Sequence, residues 1–177
     1  MAKQLNKSTF KLQLTHYNTN FKKQTFPITL VCDHVTSAPN IGSLFRIADA
    51  FGIEKLILCG EHIPFGRKMT KTSRATEKVV RYEVVKSASK TVENLKNENY
   101  QIIALEITDA SRAIHSFNFS KEKPIALIIG DENFGVSEDI LKISDAIIHI
   151  DMFGQNSSMN VVQATNIALY EMTKQLL

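Results

Sequence analysis

Five predominantly apolar runs punctuate the chain, at Ile28 to Cys32, Lys55 to Cys59, Gln101 to Ile107, Ile125 to Ile129 and Ala146 to Ile150. They are mostly continuous aliphatic rather than alternating, which is the pattern of strands covered on both faces in a parallel sheet. Between them the apolar positions recur at helical spacing. In Asn40 to Phe51 one stripe holds Ile41, Leu44, Phe45, Ala48 and Phe51, with Asn40 placed to cap the start. Ser87 to Asn97, Ser137 to Ile143 and Asn160 to Leu177 give three more helices, the last with a stripe of Val161, Ala164, Ala168, Met172 and Leu176. That stripe suits a dimer surface or internal packing equally. The alternation predicts an α/β fold, an open and mostly parallel sheet with helices on both faces.

Composition narrows the class. At 177 residues and 44% hydrophobic content, the chain holds one domain with a full core. Residues 1–26 read as an N-terminal extension and residues 27–177 as the domain. The extension carries scattered lysines and no continuous apolar stretch, so it is neither a signal peptide nor a membrane span. A cytoplasmic protein with no membrane attachment is the expectation, and the Asn-x-Ser/Thr matches at Asn6, Asn118 and Asn156 then carry no glycan. Cys32 and Cys59 lie in or at the end of apolar runs, form no C-x-x-C pair and read as small core residues. None of the five histidines has metal-ligand spacing, so no metal is assigned.

A net charge of +3 is mild, but its distribution is uneven. Arg67, Lys68, Lys71, Arg74, Lys78 and Arg81 face a single acid, Glu77, within sixteen residues. A solvated surface and a nucleic-acid footprint account for this segment equally well.

Three segments combine glycines, amides and charges where an apolar element meets a turn. They are N-I-G-S-L-F-R-I-A-D-A-F-G at Asn40 to Gly52, G-D-E-N-F-G-V-S at Gly130 to Ser137, and S-S-M-N-V-V-Q-A at Ser157 to Ala164. On the first helix Gly42, Arg46 and Asp49 share a face, so the glycine leaves room for a ligand at the guanidinium, while a plain Arg46–Asp49 surface pair is the ordinary alternative. Gly130 and Gly135 permit close backbone approach to a ligand at a strand's carboxyl end. Ser158 and Asn160 are ordinary N-cap residue types at the last helix.

Taken in order, the three segments resemble the signature motifs of the SpoU/TrmH family, the RNA ribose 2′-O-methyltransferases of the SPOUT superfamily. Asn40, Gly42, Arg46, Ala48 and Phe51-Gly52 match the first motif, Gly130, Glu132 and Gly135 the second, and Ser158, Met159, Asn160 and Val161 the third. The resemblance implies a C-terminal trefoil knot, a homodimer with sites near the subunit interface, and S-adenosyl-L-methionine as cofactor. It implies a cofactor site made by Leu105, Gly130, Glu132, Ile150, Met152, Ser158, Met159 and Asn160. It implies a catalytic set of Arg46, Ser158, Asn160, Asn40 and Glu132, with RNA held by Arg46, Lys68, Lys71, Arg74 and Lys78. A guanidinium gives up its proton only above pH ~12, so Arg46 orients the ribose hydroxyl and phosphate better than it serves as a base.

The stretch Lys71 to Lys78 resembles the segment that follows the first motif in enzymes acting on guanosine of the tRNA D-loop. That favours tRNA over rRNA, with a wobble nucleotide or rRNA as alternative targets and a non-catalytic RNA- or cofactor-binding protein as the reading from another class. One departure stands out. Asp151 replaces the proline usual between Ile150 and Met152, so the loop loses a fixed φ and gains a carboxylate.

Overall fold

The structure, a computed structural model, describes residues 19–177. The part of the predicted N-terminal extension before Thr19 lies outside the described residues. Seven strands, β1 (Phe26–Asp33), β2 (Ile53–Cys59), β3 (Tyr82–Val85), β4 (Gln101–Leu105), β5 (Arg112–Ala113), β6 (Ile125–Ile129) and β7 (Ala146–His149), form one sheet in the order β3-β2-β1-β6-β4-β7-β5. Every neighbouring pair is parallel. Five helices alternate with them: α1 (Ala38–Ala50), α2 (Arg67–Ser73), α3 (Ala88–Asn97), α4 (Glu138–Ile143) and α5 (Val161–Leu176).

The continuous apolar runs divide their side chains between two layers, as the period of two in a strand requires. Leu30, Leu56, Ile103 and Leu127 lie in one register row and pack with α1, α2 and α5. The next row, Val31, Ile57, Ala104 and Ile128, turns to the opposite face and meets α3 and α4. All eight are buried.

Three elements escape the sequence pattern, the two-residue β5 among them. The helix α2 carries only one buried apolar side chain, Met69, and β3 is an edge strand with most of its side chains exposed, so neither shows a core-facing period.

α1 is not capped by Asn40, as the sequence suggested. Its N-cap is Ser37, Pro39 lies in its first turn, and Asn40 already sits inside the helix. At its other end Gly52 takes a left-handed φ of 58°. A Cβ there would stand 2.1 Å from the Gln24 carbonyl oxygen, so this turn locks α1 to the entry of β1. The apolar stripe of α5 packs inward: Ala168 and Met172 are buried, and Val161 and Leu176 lie against the same core. Ala168 and Met172 are therefore core positions, while Val161, Ala164 and Leu176 are half-buried, and the large apolar side chains α5 exposes are Ile167 and Tyr170. Gln175 fastens α5 to the segment after β5, donating to the Phe117 carbonyl (3.0 Å) and accepting from the Phe119 amide (3.1 Å).

Among the described residues no helix is long and apolar enough to cross a membrane.

Candidate active site

Strands β6, β4 and β7 are adjacent, and their carboxyl ends open into one cavity of about 810 Å³. This is where open parallel sheets bind ligands, because all the connecting loops leave from one edge. The loop after β6 and the loop after β7 form opposite walls. Leu105, Gly130, Glu132, Ile150, Met152, Ser158, Met159 and Asn160, the eight positions expected to meet a cofactor, all line it.

The loop after β6 is held by hydrogen bonds rather than by packing. Asp131 accepts from the amides of Asn133 (2.8 Å) and Phe134 (3.2 Å), and the Gly135 amide donates back to the Asp131 carbonyl (2.9 Å). Two acids then pin its far end. Asp33, the buried last residue of β1, accepts from the Ser137 amide (2.9 Å) and hydroxyl, and Glu106 accepts from the Val136 amide (3.0 Å). The sequence reading missed both. Their signal was present as a carboxylate directly after the run Ile28 to Cys32 and as one interrupting the run Gln101 to Ile107 near its end.

Both glycines of this loop line the cavity, and the loop's own packing also calls for them. A Cβ on Gly130 would lie 2.0 Å from the Gly135 carbonyl carbon and 2.3 Å from the Val136 nitrogen. Gly135 has a φ of 69°, and a Cβ there would meet the Glu106 carboxylate at 2.3 Å.

One amide joins the three motifs. Asn40 donates through Nδ2 to Glu132 and accepts at Oδ1 from Asn160 (3.4 Å). Asn160 in turn caps α5, accepting from the Val162 amide at 2.9 Å. The ordinary N-cap role and a role in the site therefore coexist in Asn160. Ser158 makes no cap bond, because the N-cap of α5 is Asn160.

Arg46 stands apart. It is exposed and does not line the cavity, and it lacks the bonds to lining residues that Asn40 makes with Glu132 and Asn160. Six residues after Asn40 on the same helix, it projects about 120° away from it. It forms no ion pair with Asp49. Gly42 leaves no ligand room beside it either: α2 occupies that space, with Thr72 Oγ1 2.0 Å and the Met69 carbonyl oxygen 2.3 Å from where a Cβ would be. The cations Lys68, Lys71, Arg74 and Lys78 on and after α2 are all exposed; none forms a close ion pair among the described residues, and only Lys78 acts on a neighbouring acid, Glu77.

Asp151 finds partners where a proline would have fixed the chain. His115 Nδ1 lies 3.1 Å from one carboxylate oxygen and His149 Nε2 3.4 Å from the other, while His149 Nδ1 is bonded to the Ser111 hydroxyl at 2.9 Å. Cys32 and Cys59 are buried beneath the sheet's carboxyl edge. Burial, with Asp33 nearby, raises both thiols, Cys59 to about 12, so neither is a nucleophile at neutral pH. Among the described residues no cluster of His, Cys, Asp and Glu can hold a metal ion.

The profile described as the SpoU rRNA Methylase family matches residues 27–170. The chain belongs to that family. It is 30% identical over 157 residues to the tRNA (guanosine(18)-2′-O)-methyltransferase of Aquifex aeolicus, spanning 87% of this chain and 72% of the relative. It is 29% identical over 179 residues to the 23S rRNA (guanosine-2′-O-)-methyltransferase RlmB of Vibrio parahaemolyticus, spanning 100% of this chain and 68% of the relative. The SpoU methyltransferase AviRb of Streptomyces viridochromogenes, solved with AdoMet, superposes with a TM-score of 0.74 at 25% identity, over 85% of this chain and 60% of that one.

The methylase is therefore an S-adenosylmethionine-dependent RNA 2′-O-methyltransferase. The cavity suits that cofactor. Its apolar wall, including Leu105, Ile129, Ile150 and Met159, fits a purine face, and its carboxylates fit a donor bearing a sulfonium and an ammonium. Among the described residues no lysine or arginine lines it. Thr108, on the same wall, carries the one buried side-chain oxygen without a hydrogen-bond partner among the described residues.

Proposed function

We propose that the methylase modifies the ribose 2′-hydroxyl of a guanosine in tRNA, with the D-loop as its target, and works as a homodimer in the cytoplasm. The observation that carries the tRNA reading is α2. The exposed cations on and after α2 lie within or just before the segment K-T-S-R-A-T-E-K, residues 71–78, and α2 packs directly on α1, which bears Arg46. The tRNA enzyme of Aquifex aeolicus is among its relatives. The rRNA relative of similar identity supports the second reading, methylation of ribosomal RNA.

The division of labour follows from position. Leu105, Gly130, Ile150, Met152 and Met159 hold the cofactor, whose bound form supplies an electrophilic methyl on a sulfonium. Ser158 and Asn160 face the reacting ribose from the opposite loop, and Glu132 is kept in place by Asn40. Arg46 orients the hydroxyl and its adjacent phosphate, bidentately as guanidinium geometry allows. Because Arg46 is exposed and away from its own cavity, a partner copy completes each site with its Arg46. Ile167 and Tyr170 give α5 an outward apolar surface that suits such a contact. The cofactor walls formed by the loops after β6 and β7 fit the trefoil knot that the family implies.

Labelled cofactor incubated with total tRNA and with rRNA, followed by mapping of the methylated nucleotide, tests this assignment. Label in a D-loop guanosine is expected. Label confined to 23S rRNA or to the wobble position overturns it.

A further inference from the structure

Glu106 sits at the carboxyl end of β4, immediately after Leu105, and its carboxylate is fixed from two sides. Oε1 accepts from the Ile107 amide at 2.8 Å and Oε2 from the Val136 amide at 3.0 Å. The carboxylate fills the space beside Gly135, where a Cβ would lie 2.3 Å from Oε2 and where a φ of 69° already disfavours a side chain. A carboxylate offers about four lone-pair positions, so two remain. Among the described residues Glu106 forms no ion pair, and no lysine or arginine lines the cavity to take them up.

Two residues on, Thr108 lines the same wall with an unpartnered buried hydroxyl, a group whose desolvation is uncompensated until something bonds it. A preorganised carboxylate with two free acceptor positions, beside a hydroxyl in want of a partner, fits a ligand group with two neighbouring O–H donors. A vicinal diol is such a group. Acids at the ends of parallel strands take ribose hydroxyls in the dinucleotide folds for the same geometric reason.

We propose that Glu106 accepts hydrogen bonds from the ribose hydroxyls of the cofactor's adenosine, with Thr108 Oγ1 as the companion polar contact. The inference rests on the assignment of this cavity to the cofactor. It gives Glu106 a second duty beyond pinning the loop after β6, because one side chain then links that loop to the bound ligand.

Calorimetry with two probes tests it. S-adenosylhomocysteine carries both the ribose diol and the amino acid, and 5′-methylthioadenosine carries the diol alone. Glu106→Gln keeps an acceptor for a loop amide and should weaken both probes by the same factor, about tenfold or more for a missing charged hydrogen bond. Thr108→Val, which removes only the orphan hydroxyl, should weaken both by about threefold without lowering the melting temperature of the ligand-free protein. A loss confined to S-adenosylhomocysteine assigns the carboxylate to the amino-acid ammonium and overturns the proposal. Unchanged affinity in Glu106→Gln, with only a lower melting temperature, reduces Glu106 to a loop pin and overturns it as well. If Glu106→Gln does not fold, Thr108→Val decides: equal weakening of both probes supports the proposal and unchanged affinities overturn it. Failure of the unmutated chain to bind either probe sinks the cofactor assignment of the cavity itself.

Discussion

Asn40 donates a hydrogen bond to Glu132 across 92 residues of sequence, and the same amide accepts from Asn160. The residue that the helical pattern offered as a cap instead couples the first motif to both of the others.

The coupling is measurable. Asn40→Ala and Glu132→Ala should show a positive interaction in a double-mutant cycle on S-adenosylhomocysteine affinity, near the lower end of the usual range of about 0.5–3 kcal/mol because Glu132 is exposed. Asn160→Ala should also lower folding stability by about 1 kcal/mol through removal of the cap, read by chemical denaturation. Strict additivity of Asn40 and Glu132 would show the bond to be idle.

Arg46→Ala should reduce methyl transfer at least about 100-fold, as expected for a group that positions a reacting phosphate and hydroxyl, and leave S-adenosylhomocysteine affinity unchanged. Mixing Arg46→Ala subunits with Asn160→Ala subunits should restore activity, because each mixed dimer then holds one intact cavity facing one intact Arg46. No recovery on subunit exchange would place Arg46 in its own chain's site.

Gly42→Ala drives a methyl group into the backbone of α2, and overpacking of that kind costs about 1–3 kcal/mol. RNA affinity should fall with it, since the displaced helix carries the cations, while cofactor affinity holds. A melting curve and a filter-binding assay separate the two effects. Loss of cofactor binding together with RNA binding would mean that α2 and the cavity are not independent.

Replacing Lys68, Lys71, Arg74 and Lys78 together by Ala should flatten the salt dependence of RNA binding by roughly 0.7 to 0.9 in log-log slope for each phosphate that is no longer neutralised. Phosphate contacts position RNA without reading bases, so the choice of nucleotide should survive. An unchanged slope would leave the segment as solvated surface.

The two cysteines predict an alkaline limit. In the unfolded chain a thiol ionises from about pH 8.5, whereas folded Cys59 holds its proton to about 12 and Cys32 is also raised. A raised pKa in the fold means that this contribution to stability is complete below the unfolded value and declines as pH climbs toward 12. Denaturation midpoints should therefore drop steadily above about pH 9, and a thiol reagent at about pH 8 should label neither cysteine until the protein unfolds. Rapid labelling in the native state would contradict the burial of both.

The sheet's centre was legible because β1, β2, β4, β6 and β7 are apolar enough to announce themselves, and α1, α3, α4 and α5 because each has a core-facing side. What the pattern lacked was any mark of α2, β3 and β5, which lie at the rim and bury little. The motif positions were legible too, and the convergence of the second and third motifs on one cavity followed from the order β6-β4-β7. Their individual duties were not. Whether Gly42 and Gly135 make room for a ligand, for α2 or for Glu106 depends on which segment packs there, and that is fixed by contacts far apart in sequence. Asn40 is the same kind of case, since no local pattern tells a helix cap from a residue whose partners lie on loops beyond β6 and β7.

The hydrogen bond between Asn160 and Asn40 spans 120 residues, and all six strand pairings are parallel. Such contacts are slow to form, because the entropy of closing a long segment is spent before any of them is made. While the chain is being synthesised, its central strands can pair but the cavity lacks a wall until α5 leaves the ribosome. The enzyme thus becomes competent only once α5 has been translated, and a nascent chain stalled before α5 presents the basic α2 segment to surrounding RNA with no means of methylating it.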